Sequence, residues 1–283
     1  MDYLEVDRGP GPSELAHPGL SAQAGRIRSL SAGLRNRMPI TIGIAALTLW
    51  EIGVRVGAID SLHFPAPSTI AVAFGESVAD GVVIGHLFAT LMRVAWGVGV
   101  GGTLGLLLGV AMGRSVRLKA ALDPFVAAFH PLPKIAILPL IMVLFGIGDL
   151  TLVIVIAAGT FFPMLINTMA GVSQINPIHF DVARIHRAGK ARVMFRVVLP
   201  GSAPSVLAGL RLALNTALLI AVAVEMVAAR SGLGAMIWMS WVTLRTEDIF
   251  VALVVTVAFG LTVNLAISLI ARWAVPWQQV GGD

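Results

Sequence analysis

The stretch "GVGVGGTLGLLLGVAMG", residues 97–113, governs the architecture of this chain because it is apolar and has a glycine at every fourth position. The recurring glycines are Gly97, Gly101, Gly105, Gly109 and Gly113. Residues four apart lie on one face of a helix, so the stretch predicts a helix with one side free of side chains. A second helix can approach such a side closely, as small-residue interfaces in membranes show. We therefore predict that these five glycines pack against another helix.

The same stretch also fits the G-x-G-x-x-G pattern of dinucleotide-binding proteins, through Gly97, Gly99 and Gly102. That site needs a strand before the glycines and an acidic residue about 20 positions after them, within a βαβ unit. Here the glycines lie inside an apolar span with no βαβ pattern around them, so we interpret them as a packing face.

The composition of the whole chain indicates a membrane protein. Of its 283 residues, 57% are hydrophobic and 12% are charged, and the mean hydropathy of +0.88 lies outside the range of soluble domains. Cysteine is absent, which excludes disulfides and thiolate metal sites, and we expect no metal site. We interpret the net charge of +5 as cytoplasmic loop charge rather than affinity for nucleic acid.

On either side of the glycine stretch, apolar runs predict an all-α membrane protein, a six-span helical bundle. The spans lie at about residues 38–58, 86–113, 121–146, 150–172, 203–228 and 249–272, each long enough to cross a bilayer, which takes ~20 residues. They must be helical because lipid offers no partner for open backbone groups. Pro131, Pro133 and Pro139 interrupt the third span.

The domain organisation follows from these spans. Residues 1–37 are rich in Gly, Pro, Ser and charge and predict a disordered cytoplasmic tail. Residues 38–277 form the transmembrane domain, and residues 278–283 form a short tail. Lys and Arg concentrate on alternate loops, which predicts a membrane protein with both termini in the cytoplasm.

One of those cytoplasmic loops carries the sequence "DVARIHRAGKARVMFRVVLP", residues 181–200. Its cations are Arg184, Arg187, Lys190, Arg192 and Arg196. Val182, Ile185, Gly189 and Val193 have the spacing of one helical face. We predict a helix that starts at Asp181, breaks at Gly189 and stops at Pro200. Such a basic amphipathic pair suits either anionic headgroups or a soluble partner.

This loop resembles the EAA loop of ABC-transporter permeases. Asp181, Val182 and Ala183 occupy the Glu-Ala-Ala positions, and Leu199-Pro200 closes the Ile-x-Leu-Pro ending at the family's spacing. Arg187 stands where the family has a glycine. We expect Gly189, two positions later, to take the place of that glycine in the turn. Four further motifs are similar to permeases of the nitrate, sulfonate and taurine importer group: "FPAPSTI" (64–70), "HPLPKIAILPLIMVLFGIG" (130–148), "GLRLAL" (209–214) and "SGLG" (231–234).

The resemblance, which covers about residues 60–277, implies a type I ABC importer permease of the cell inner membrane. It implies a homodimer of this chain, two ATPase subunits and a soluble substrate-binding protein, with membrane lipid around it. ATP and Mg would be bound by the ATPase, so this chain would be no enzyme and hold no cofactor. The loop at 173–202 would couple to the ATPase through Asp181, Ala183, Arg187 and Gly189. The solute would be a small anion of the sulfonate or taurine, nitrate or carboxylate class.

Polar residues inside the predicted spans suggest where a solute passes. Ionisable groups at membrane depth are costly and usually face a cavity or a partner. We therefore predict that five residues border the translocation route: His130, Lys134, Arg211, Asn215 and Glu225. Two alternatives stay open, namely that Glu225 pairs with a cation for structure and that Arg93 snorkels to the outer surface.

The main rival function is an ion-coupled secondary transporter. Such carriers typically show an inverted repeat and carboxylates near the middle of the membrane. Here Glu225 is the one strong carboxylate candidate in the later spans, and no convincing repeat is visible.

Overall fold

The computed structural model describes residues 38–276, all of whose regular elements are helices. The helices are α1 (Met38–Arg55), α2 (Pro67–Ala79), α3 (Val82–Arg114), α4 (Val116–Phe129), α5 (Leu138–Phe145), α6 (Asp149–Ser173), α7 (Pro177–Ile185), α8 (Lys190–Val193), α9 (Leu199–Ala228), α10 (Leu233–Val242) and α11 (Thr246–Ala274). The two predicted tails, at 1–37 and 278–283, lie outside the described residues.

The predicted number of spans is confirmed. Within residues 38–276, five helical stretches are long and apolar enough to cross a membrane: Met38–Arg55, Val82–Arg114, Asp149–Ser173, Lys190–Ala228 and Thr246–Ala274. The sixth span is the bent pair Val116–Phe129 and Lys134–Phe145, counted as one. The second part of that pair begins with a 3₁₀ turn, Lys134–Ile137, which leads into α5.

The third span is sharply broken where the sequence places its prolines. Its two helical parts meet at 86° across the break at residues 130–133. Pro131 and Pro133 lie in that break, while Pro139 lies in the first turn of α5, where its missing N–H costs no helical hydrogen bond. Two of the three prolines therefore bend the span, and the third starts its second half.

The glycine face of α3 packs against α6. A Cβ at Gly105 would lie 2.5 Å from the Phe161 carbonyl oxygen, and one at Gly109 would lie 2.7 Å from the Leu165 carbonyl oxygen. A Cβ at Gly101 would overlap the backbone of Ala157. Gly97 and Gly113 also face α6, so all five glycines allow the two helices to approach closely.

The apolar core lies where α3, α6 and α9 meet. Ile156 and Val155 of α6 are fully buried, as are Ala217 and Val224 of α9. Val94 of α3 belongs to the same cluster. Small residues on α9 let it approach α6 closely, so the three helices form the framework that positions the polar groups described below.

The chain divides into two compact units between Ser68 and Thr69. In the first unit, the Glu51 carboxylate accepts hydrogen bonds from the Ser68 N–H (3.0 Å), the Ser68 hydroxyl (2.8 Å) and the Arg55 Nε (2.6 Å). These bonds tie the end of α1 to the first residues of α2. The second unit holds the rest of α2 and all of α3 to α11.

The fifth span begins earlier than predicted, because Pro200 does not stop the helix. Helical structure is continuous from Lys190 to Ala228. A π-helical turn, Met194–Val198, precedes Pro200. Proline cannot donate to the carbonyl four residues before it, and a wider turn is one way for a helix to pass such a residue.

Candidate functional site

The basic loop folds as a short helix, a turn and a second helix that runs into α9. The first helix, α7, begins at Pro177, and the Asn176 side chain accepts a hydrogen bond from the Ile178 N–H at 3.0 Å. The prediction that Asp181 starts the helix is therefore wrong. Asp181 lies in the middle of α7, where it pairs with Arg184 at 3.0 Å on an exposed surface.

The turn after α7 takes its left-handed residue at Arg187, with φ of 47°. Gly189 has φ of −65° and ψ of 159° and precedes α8. The expectation that Gly189 replaces the missing glycine of the turn is therefore wrong. Arg187 itself adopts the conformation that favours glycine, and the Ala188 N–H donates to the Ala183 carbonyl across the turn at 2.9 Å.

Replacing Arg187 by glycine should stabilise this turn by about 1 kcal/mol, because a side chain in the left-handed region is strained. Amide hydrogen exchange at Ala188 should slow by roughly fivefold. Gly189→Ala is the matched control, since its φ suits alanine and a Cβ there meets nothing within 4 Å. Faster exchange in Arg187→Gly would contradict the assignment.

The break in the loop separates the residues that were predicted to share one apolar face. Ile185 on α7 is 79% exposed, and Ile178 is 60% exposed. Val182 and Ala183 instead line a groove between α7 and the start of α9. The groove has a volume of about 690 Å³, and its polar lining includes His179, His186, Arg192 and Arg196. The loop thus exposes Ile178 and Ile185 on its outer side, while its inner groove combines apolar residues with Arg192, Arg196 and two histidines.

A buried ion-pair network connects α3, α6 and α9 near the start of α10. Arg93 donates to the Glu225 carboxylate at 2.8 Å and to the Asp149 carboxylate at 2.7 Å. It also donates to the carbonyl of Ser231 at 2.6 Å. The second oxygen of Glu225 accepts from the Thr90 hydroxyl at 2.9 Å and the Gly234 N–H at 3.0 Å. These bonds fix the "SGLG" segment to two spans.

Two sequence-based expectations change at this network. Arg93 does not snorkel, because only 5% of the residue is exposed. Glu225 is fully buried, so the structure favours the alternative in which it pairs with a cation. The sequence does contain an indication of this pairing, because the alternating direction of the spans puts Arg93, Asp149 and Glu225 on the same side of the membrane.

His130 and Lys134 lie together at the break in the third span. The Lys134 ammonium donates to the carbonyls of Phe129 (2.8 Å), His130 (2.8 Å) and Leu132 (2.7 Å). It also lies 4.7 Å from the centre of the Phe162 ring on α6. Lys134 thus donates hydrogen bonds to backbone carbonyls that lose their helical partners at the break.

Arg211 and Asn215 lie on α9 opposite α11. The Arg211 guanidinium donates to the Ser268 hydroxyl at 2.5 Å, and the Asn264 amide donates to the Asn215 side-chain oxygen at 2.9 Å. The five predicted route residues therefore lie at three places in this chain: the break, the α9–α11 contact and the buried network.

Comparison with known proteins identifies chains of similar sequence. A family model described as "Binding-protein-dependent transport system inner membrane component" matches residues 101–280. The "Putative aliphatic sulfonates transport permease protein SsuC" of Bacillus subtilis is 30% identical, over 82% of this chain and 84% of its own length. The taurine transport system permease of Escherichia coli is 29% identical, over 86% and 91%.

A solved structure of the MetNI methionine ABC transporter in an inward-facing conformation has a similar fold. Its TM-score is 0.56 at 20% sequence identity, over 68% of this chain and 95% of the matched chain.

Proposed function

This chain belongs to the family of binding-protein-dependent transport system inner membrane components, and from that membership we propose that two copies form the pathway of an ATP-driven importer. Two ATPase subunits would bind on the cytoplasmic side, and a soluble binding protein would deliver the solute from outside. We propose a small anion of the sulfonate class, with nitrate and carboxylates as related candidates, because two similar proteins are named for sulfonate and taurine transport.

The outer side of the basic loop carries this proposal. Ile178 and Ile185 have large apolar side chains that are exposed in this chain, with the Asp181–Arg184 pair between them. An exposed apolar stripe with a polar rim suits a protein groove better than water. Ala183 would support the loop rather than form most of the contact, because it lines the inner groove. Arg187 and Gly189 are exposed beside the end of α7, and we propose that they take part in the contact.

The coupling follows from how the loop is attached. Helix α8 continues through the π-helical turn into α9, so the loop and the fifth span share one helical stretch from Lys190 to Ala228. Closure of an ATPase pair on α7 would therefore move α9, which contacts both the core and α11. A loop that binds the ATPase must lie on the cytoplasmic side, and this placement fits an orientation with both termini in the cytoplasm.

Ile185→Asp should release the ATPase, because a carboxylate would have to be buried in the docking groove. The measurement is co-purification of the ATPase with the tagged full-length chain, together with vanadate-sensitive uptake of ethanesulfonate. Both should fall at least tenfold. Val116→Asp is the matched control, since Val116 is 86% exposed and lies outside the loop. Vanadate-insensitive uptake by the unaltered protein would overturn the proposed function.

A further inference from the structure

Four polar side chains form a two-rung ladder between α9 and α11. Arg211 and Asn215 stand one helical turn apart on α9, and Asn264 and Ser268 stand one turn apart on α11. Ser268 also donates its hydroxyl to the Asn264 carbonyl at 2.8 Å. Arg211 and Asn215 are exposed in this chain. We call these four residues the α9–α11 ladder.

The ladder lies nearer to one face of the membrane than to the other. Arg211 is roughly 18 Å along the axis from the start of α9 and roughly 26 Å from its end, at about 1.5 Å per residue. The hydrocarbon core of a bilayer is about 30 Å thick, which is less than the length of α9, so Arg211 lies inside the core on the side where α9 starts. Polar groups that face lipid inside the core are costly. The ladder therefore favours contact with a water-filled route, another protein surface or the anionic headgroups of the nearer leaflet.

Arg211 differs in its partners from Arg93 and Lys134, the two other cations inside the predicted spans. Arg93 pairs with two carboxylates, and Lys134 donates to three carbonyls. Within residues 38–276, Arg211 has no carboxylate partner, and Ser268 is its one hydrogen-bond acceptor. A guanidinium has five N–H donors, so most of its binding capacity remains open to an anion.

A cavity of about 530 Å³ adjoins Arg211 between the two helices. Arg272 lines the same cavity, while Leu207, Leu212 and Ile267 give it apolar walls. Two cations and apolar walls suit an oxyanion that carries a short apolar group, as an alkanesulfonate does.

We propose that this cavity is an oxyanion site on the transport route, in which Arg211 binds the anionic group and Ser268 orients the guanidinium. The identity of the anion as the transported solute rests on the proposed function. A phospholipid phosphate has the same chemistry, so the experiment must distinguish the two sources.

The absence of cysteine from the chain allows a direct test. Ser268→Cys introduces a single thiol into the site, and an anionic and a cationic methanethiosulfonate reagent measure the local charge. The anionic reagent, which carries a sulfonate, should react faster than the cationic one. The ratio of the two rates should fall about tenfold when Arg211→Gln is added, because one positive charge is lost nearby.

Thr262→Cys is the matched control, because Thr262 is exposed on α11 and its hydroxyl bonds to its own helix at the Ala258 carbonyl. Its rate ratio should not respond to Arg211→Gln. Arg211→Lys should preserve the ratio at position 268, which keeps the test valid if Arg211→Gln does not fold. An unchanged ratio in Arg211→Gln would overturn the site.

Two further measurements distinguish a sulfonate from a phospholipid phosphate as the anion bound in the cavity. Ethanesulfonate at millimolar concentration should slow modification at position 268 in nanodiscs of neutral lipid. Protection that requires phosphatidylglycerol and ignores ethanesulfonate would instead assign the site to lipid and overturn the proposal. These measurements need neither the ATPase nor the binding protein. They can therefore disprove the oxyanion site without affecting the proposed ATP-driven uptake, and a failure of ATP-driven uptake would not by itself disprove the site.

Discussion

Gly101→Ala should destabilise the protein by about 3 kcal/mol or more, whereas Gly99→Ala should be neutral or slightly stabilising. A Cβ at Gly101 would overlap the Ala157 carbonyl and the Thr160 hydroxyl on α6. Backbone cannot move aside as a flexible side chain can, so α3 and α6 would have to separate. Separation would also weaken the contacts at Gly105 and Gly109.

Gly99 provides the comparison because it lies in the same helix and its Cβ would meet nothing within 4 Å. Alanine there gains helix propensity of about 0.5–1 kcal/mol over glycine. The measurement is thermal unfolding of the purified chain in detergent, followed by size-exclusion chromatography. Equal effects of the two substitutions would show that the glycine face does not set the distance between α3 and α6.

Arg93→Met should be the most damaging single change to the buried network, at a cost of about 3–5 kcal/mol. It would leave the Glu225 carboxylate fully buried without its cation. Adding Glu225→Gln removes the unpaired charge, so the double variant should be more stable than Arg93→Met alone. Asp149→Asn should cost less, because the Asp149 side chain is 77% exposed.

Arg55→Met is the control for the loss of an arginine ion pair. The Arg55 side chain is 68% exposed and pairs with Glu51, so its removal should cost about 1 kcal/mol or less. The free energies of unfolding of these variants and of the unaltered protein can be compared in one detergent. If Arg93→Met cost no more than Arg55→Met, the network would not hold the "SGLG" segment to α3 and α9.

The helical spans and the glycine face could be predicted without any coordinates. Both are short-range patterns: about 20 apolar residues must cross a bilayer as a helix, and residues four apart share a helical face. The bend near Pro131 and Pro133 was predictable for the same reason, because proline removes a local hydrogen bond.

Which polar groups meet was visible only in the folded chain. Glu225 and Arg93 are far apart in the sequence, and their pairing depends on how α3 and α9 lie together. Lys134 and Arg211 look alike in the sequence, yet one donates to carbonyls at a break and the other remains open beside a cavity. Side-chain partners depend on long-range packing, which periodicity does not contain.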